Sequence, residues 1–277
     1  MSNVSKKLGH NVPNALDLSI VNDVAINLIN ENKKAVENVT IKRIHPDINT
    51  YYFTVNIFNG PQGTGKTYSS MLEIIKISMV DPNSHLLIYI SKDGDKVDPT
   101  IESLKSLLAI DIVYVKYADA VEYVKQLLLY KNLYNEIKRE KLENKICDDQ
   151  VEELNSILHI NDFSRDFLHT LILFDDVSNN RLFKDQSSYF NELITQCRKI
   201  HCTFFMTIQF WKGVSPNIKA NTTTATIFAG FSKQQFRYIC SQVASSIPFD
   251  VLYSVYQQLK EHEKLIMNNR TNEVVKN

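Results

Sequence analysis

The chain alternates short, densely apolar runs with segments whose apolar positions recur every three or four residues. Tyr51 to Phe58, Leu86 to Ile90, Leu171 to Phe174, Thr203 to Ile208 and Ala225 to Phe228 are short and rich in aromatic and β-branched residues, so they predict buried strands. Ile112 to Lys116 predicts a further short strand and Ile41 to Ile48 a weaker one. Between them, Leu16, Ile20, Val24 and Leu28 recur every four residues and predict a helix over 16–29. Met71, Leu72, Ile74, Ile75 and Met79 predict another, ended by Asp81-Pro82-Asn83. Residues 119 to about 160 hold no Gly or Pro and predict a long charged helical stretch, with Leu127, Leu128, Tyr130, Leu133 and Ile137 as an incomplete apolar face. Further helices are expected at about 100–109, 233–244 and 248–261, and Lys264 to Met267 with Glu273 to Lys276 are read as a terminal hairpin around Asn-Asn-Arg-Thr-Asn.

Strands that are apolar on both faces and alternate with helices belong in a largely parallel sheet covered on each side, the α/β class. The expected organisation is an N-terminal arm and helix over 1–48 and a core over 49–277. That core carries a helical insertion at about 119–165 and C-terminal helices with the hairpin at about 233–277. No internal repeat or low-complexity tract interrupts it.

Composition narrows the class without naming a function. A chain of 277 residues that is 44% hydrophobic and 22% charged has the make-up of a folded domain, which excludes a disordered, collagenous or coiled-coil protein. Its 31 Lys and Arg balance its 31 Asp and Glu, so any contact with nucleic acid must come from local basic loops. Two such loops are Ser91 to Pro99, with Lys92 and Lys96, and Trp211 to Ala220, with Trp211, Lys212 and Lys219. Cys147, Cys197, Cys202 and Cys240 form no C-x-x-C pair, which fits a reducing compartment and leaves the Cys197, His201, Cys202 group short of a zinc set. The apolar runs fall far short of the ~20 residues a membrane helix needs, and Met1 to Lys7 lacks an apolar leader core, so neither membrane span nor secretory signal is expected.

The chemistry concentrates at the ends of the predicted strands. Gly60-Pro61-Gln62-Gly63-Thr64-Gly65-Lys66-Thr67 satisfies G-x-x-x-x-G-K-[ST] after a strand and before a helix, and it holds three of the chain's seven glycines. Glycines at this spacing let backbone N–H groups turn inward around a polyphosphate, with the helix N-terminus adding positive potential. Lys66 would reach the β- and γ-phosphates of ATP, and Thr67 would offer its hydroxyl to Mg²⁺. Leu171-Ile172-Leu173-Phe174-Asp175-Asp176 has the Walker B form, with Asp175 placed for the Mg²⁺ shell and Asp176 for polarising the attacking water. Gln209 ends the next strand, where its amide would touch both the γ-phosphate and that water. Arg198 closes the helix before that strand and is the candidate for a finger acting on a neighbouring subunit's nucleotide.

These motifs, with Gln196 to Gln209 and the turn Ile218-Lys219-Ala220-Asn221 before a strand at Thr226 to Gly230, resemble the FtsK/HerA superfamily of P-loop ATPases. Within it, the resemblance is to the genome-packaging ATPases of poxvirus-like large DNA viruses and virophages. It covers about residues 50 to 235. The resemblance implies a three-layer P-loop NTPase of the additional-strand type, with sheet order 5-1-4-3-2. It also implies a homo-oligomeric ring of five or six subunits that moves double-stranded DNA, meets viral capsid components, and works in the virion or at a viral assembly site in the host cytoplasm. Asp176 departs from the pattern, because many relatives place Glu there. Two other classes share a P-loop: a small-molecule or nucleoside kinase with a lid in the helical insertion, and a nucleotide-gated assembly scaffold.

Overall fold

The computed structural model describes residues 52–94, 98–160, 163–177, 183, 188–243, 247–271 and 273–277. The arm over 1–48, the helix expected at 16–29 and the strand expected at 41–48 lie outside the described residues. Strand β1 (Val55–Asn59) runs into the Gly-rich loop and then helix α1 (Lys66–Val80), which stops where Asp81 donates its N–H to the Ile77 carbonyl. Strand β2 (Ser84–Ser91), helix α2 (Pro99–Leu104) and strand β3 (Asp111–Lys116) follow. The helical stretch is two helices, α3 (Ala120–Glu140) and α4 (Asp148–Leu158), ended by Lys141 and His159 in left-handed conformation with φ of 54° each. Strand β4 (His169–Phe174), helix α5 (Tyr189–Thr195), strand β5 (Cys202–Ile208), helix α6 (Pro216–Asn221) and strand β6 (Thr224–Phe228) complete the parallel part. Helices α7 (Lys233–Gln242) and α8 (Phe249–Tyr256) lead to the hairpin of β7 (Lys264–Asn268) and β8 (Glu273–Lys276).

One sheet of eight strands has the order β3-β2-β4-β5-β1-β6-β7-β8. Strands β1 to β6 are parallel, and β7 and β8 join antiparallel to β6 and to each other. The implied order 5-1-4-3-2 describes the middle of the sheet, β6-β1-β5-β4-β2. The whole sheet departs from it by carrying β3 outside β2 and the hairpin outside β6. Each outermost strand has an acid at one end and a lysine at the other, Asp111 and Lys116 in β3, Glu273 and Lys276 in β8.

The pleat sorts the apolar side chains into two cores, as alternation along a strand requires. Phe58, Leu87, Tyr89, Leu171, Leu173 and Phe205 meet Met71 and Ile74 of α1 and Ile101 and Leu104 of α2. Ile57, Ile88, Ile90, Ile172, Phe174, Phe204 and Met206 face the other helical layer, including Val124, Leu127 and Tyr134 of α3. The inner face of α3 differs from the expected one: Leu133 is 46% exposed, and the charged Lys131 is buried in the layer instead. Its ammonium donates to Thr170 Oγ1 at 2.9 Å and to the His201 carbonyl at 2.7 Å, so hydrogen bonds offset the desolvation. Nearby, buried His169 bridges Asp81 (Nδ1 to Oδ2, 2.5 Å) and Thr203 (Nε2 to Oγ1, 2.8 Å), while Tyr52 donates to Asp81 Oδ1 at 2.6 Å. This polar network lies at the N-terminal edge of the strands. The Gly-rich loop lies at the opposite, C-terminal edge.

Candidate functional site

The loop between β1 and α1 takes its shape from its glycines. Gly63 and Gly65 have φ of +78° and +87°, the left-handed region that other residues enter only at a cost. Gly60 is required for a different reason, since a Cβ there would stand 2.6 Å from Thr64 Oγ1 and 2.8 Å from Phe228 Cβ. Gly60 N–H donates to the Ile208 carbonyl and Ser69 N–H to the Gly65 carbonyl, so the loop is pinned to β5 on one side and begins α1 on the other. Lys66 folds back over the loop, its Nζ donating to the Pro61 carbonyl at 2.8 Å. Burial holds its pKa below the ordinary lysine value, against the opposing pull of the Asp176 and Asp175 carboxylates.

The register that sets β4 beside β5 and β2 brings the Walker B acids to the loop. Asp175 Oδ1 accepts from Thr67 Oγ1 at 3.1 Å and from Thr207 Oγ1 at 2.6 Å, and Oδ2 accepts from Tyr89 OH at 2.8 Å. Tyr117 OH donates to the Asp175 backbone carbonyl. Burial, with the Asp175 charge beside them, pushes both tyrosine hydroxyls well above their ordinary pKa, so each remains a donor. Asp176 adopts φ of +47°, its N–H donating to Thr207 Oγ1 at 2.8 Å and its Oδ1 accepting from Gln209 Nε2 at 3.1 Å. The Thr67 hydroxyl beside the Asp175 carboxylate is a pair of hard oxygen donors of the kind Mg²⁺ takes, and it stands at the opening of the anion-binding loop.

Of the residues read from sequence, Gly60 to Thr67, Asp175, Asp176 and Gln209 therefore meet in one place. Arg198 does not join them. It sits three residues past the end of α5 rather than closing it, exposed before the start of β5, while the nucleotide loop lies beyond that strand's other end. Seven strand residues separate the two by roughly 20 Å. Trp211 is 3% exposed and belongs to the core rather than to an aromatic platform for bases, because its indole fills the layer under β5. Lys219 is also buried, its Nζ donating to Tyr238 OH at 3.3 Å, whereas Lys212 and Lys92 are exposed. Lys96 lies outside the described residues. Cys197 and Cys202 donate to the Phe53 and Ile200 carbonyls, and no metal-binding cluster occurs among the described residues.

Sequence reasoning missed Tyr89, Tyr117 and Thr207. Thr207 left a signal, as a hydroxyl near the end of an otherwise apolar run. Tyr89 and Tyr117 left none, since a tyrosine in or after a strand is ordinary packing.

No known family matches the chain by sequence, and no curated protein matches it. Solved structures do share its fold. The genome packaging NTPase B204 from Sulfolobus turreted icosahedral virus 2, in complex with AMPPCP, aligns at 13% identity and a TM-score of 0.51, covering 80% of this chain and 96% of that one. B204, the DNA-packaging ATPase from Sulfolobus turreted icosahedral virus, aligns at 12% identity and 0.50, covering 82% and 97%. ATPases 2 and 3 of EssC from Geobacillus thermodenitrificans align at 12% and 0.50, covering 80% of this chain and 38% of theirs. The fold is that of an α/β P-loop NTPase. Among the described residues, no helix is long and apolar enough to cross a membrane.

Proposed function

We propose that the protein is an ATP hydrolase that drives double-stranded DNA into a viral capsid. The observation that carries the reading is the Walker A threonine hydrogen-bonded to the Walker B aspartate, with Gln209 on the next acid, inside a fold shared with packaging NTPases over most of both chains. In this reading Gly60 to Lys66 wrap the phosphates, and Lys66 exchanges the Pro61 carbonyl for the β- and γ-phosphates. Thr67 and Asp175 would hold Mg²⁺, which when bound would supply charge to neutralise the phosphate oxygens. Asp176 takes a proton from the attacking water, and Gln209, already bonded to that carboxylate, orients it.

Arg198 lies too far from its own nucleotide loop to act there, and the role proposed for it is on a neighbour's γ-phosphate across a subunit boundary. That role requires a homo-oligomer, a ring of five or six copies. The segments over 1–48 and about 119–165 then serve for docking to capsid components, at the virion or the assembly site in the host cytoplasm. A kinase lid gains no support from the helical stretch. Its Arg165 donates to the Ser84 carbonyl at the N-terminal edge of the sheet, away from the loop, and Arg139 is exposed at the far end of α3.

The test is ATP turnover with and without long duplex DNA, alongside particle mass. Duplex-stimulated hydrolysis by a ring-sized particle is expected. Phosphate transfer to a nucleoside, or assembly on a non-hydrolysable analogue without turnover, would replace the reading by one of its rivals.

A further inference from the structure

The acidic residues of this neutral chain are unevenly spread. From Leu193 to Phe249 there is no Asp or Glu, although the chain holds 31 of them in 277 residues. The same stretch carries Arg198, Lys199, Lys212, Lys219, Lys233 and Arg237.

Folding gathers four of these cations around α7. Lys233 and Arg237 are one turn apart on that helix and both exposed. Lys233 Nζ lies 5.0 Å from the Tyr253 ring centroid, and the Arg237 guanidinium lies 4.6 Å from that of Phe249. Those two α8 rings stack on each other at 5.7 Å. Tyr238, the next residue on α7, receives Lys212 and Lys219 from the segment after β5, each with Nζ 5.5 Å from its ring. Among the described residues none of the four forms an ion pair. Asp250 is the first acid after the stretch, exposed in the first turn of α8. Cations held over aromatic faces keep their stems ordered while their donors face outward.

Resting on the reading of the protein as a DNA motor, we infer that the basic, aromatic-backed surface of the exposed Lys212, Lys233 and Arg237, with buried Lys219 behind it, is where it grips the phosphate backbone of duplex DNA. A contact made by these cations on phosphate oxygens is electrostatic and indifferent to sequence. Its position suits a motor, because the turn before α7 touches the nucleotide loop: a Cβ on Gly230 would lie 3.0 Å from Pro61 Cγ. The nucleotide loop and the root of the helix that carries Lys233 and Arg237 are thus in contact.

The experiment is a salt series of duplex-binding isotherms, by fluorescence anisotropy, for the full-length protein, the K212A/K233A/R237A variant and a control variant, R139A/K141A/K145A. The surface variant is expected to bind about tenfold or more weaker, and the slope of log affinity against log salt is expected to shrink by about 2 to 3. DNA-independent ATP turnover and melting temperature are expected to stay at the wild-type values, and the control is expected to bind as wild type does. Lys212→Gln and Lys233→Gln singly are each expected to remove about 1 from the slope, which keeps the test open if the triple variant folds poorly. A wild-type protein that binds duplex, with surface variants that bind equally well, overturns the assignment of the surface while leaving the motor reading intact. A wild-type protein that binds no duplex at low salt overturns both.

Discussion

Thr207 offers the sharpest test of how the site is held. Its hydroxyl is buried at 1% exposure and does two things at once: it donates to Asp175 Oδ1 at 2.6 Å and accepts from the Asp176 backbone N–H at 2.8 Å. Thr207→Val keeps the shape and removes both bonds. A hydrogen bond to a charged carboxylate is worth about 1.5–3 kcal/mol, and an N–H left without its partner costs about 1–3 kcal/mol. Part of the loss is recovered, because Asp175 keeps Thr67 and Tyr89. A net destabilisation of about 2–4 kcal/mol is expected, which lowers Tm by roughly 2–4 °C per kcal/mol in a domain of this size.

The second expected effect is on metal dependence. With one of its restraints gone, the Asp175 carboxylate samples more orientations, so half-maximal ATP turnover should need severalfold more Mg²⁺ while saturated turnover falls less. Thr207→Ser, which retains the hydroxyl, should recover the Mg²⁺ requirement. A valine variant that melts within a degree of wild type and titrates with Mg²⁺ identically would show that the bridge contributes nothing to either property.

Other outcomes follow from the same geometry. Lys66→Ala should lower ATP turnover by about a hundredfold or more, measured as phosphate release, since it removes the only charge the Gly-rich loop offers the phosphates. Asp176→Asn should lower kcat by about a hundredfold or more with little change in KM, because asparagine tolerates the left-handed backbone but accepts no proton. Gly60→Ala should cost about 1–3 kcal/mol by collision with Thr64 and Phe228. Gly63→Ala, which meets nothing within 4 Å, should cost only the ~1–2 kcal/mol of its left-handed φ; denaturant unfolding of the pair separates the two causes.

Stability should also fall on acidification. His85 and His169 are held below their ordinary pKa by burial, and His201 is pushed down to about 4 by burial, Lys131 and His169. The unfolded chain takes up these protons near pH 6.5 and the folded chain does not, so their contribution is complete above that pH and is lost as pH falls toward 4. A melting temperature that stays level from pH 7 to 5 would contradict this.

The strands and the nucleotide loop were legible because each rests on a local rule. Runs such as Leu171 to Phe174 are apolar on both faces only if both are covered, and the Gly60 to Thr67 spacing has few other uses. What the sequence concealed depends on contacts remote along the chain. The break between α3 and α4 has no Gly or Pro to announce it, because Lys141 takes the left-handed turn itself, as His159 does at the end of α4. Lys131 reads as a solvated charge until Thr170 and the His201 carbonyl, far along the chain, are seen to receive it. Trp211 and Lys219 looked like members of an exposed basic loop, yet burial was decided by the layer they meet. Tyr89 and Tyr117 act on Asp175 only because β2 and the end of β3 stop at the same edge as β4.

The outermost strands bear on how copies of this protein can meet. A bare strand edge invites another chain to continue the ladder, and the short β3 and β8 carry opposite charges at their two ends, which makes the invitation depend on direction. Two identical strands laid parallel would set like charges side by side, whereas laid antiparallel they would set each acid against a lysine. The charge pattern of these edges thus opposes extension of the sheet by a parallel copy of the same strand and leaves the antiparallel arrangement unopposed.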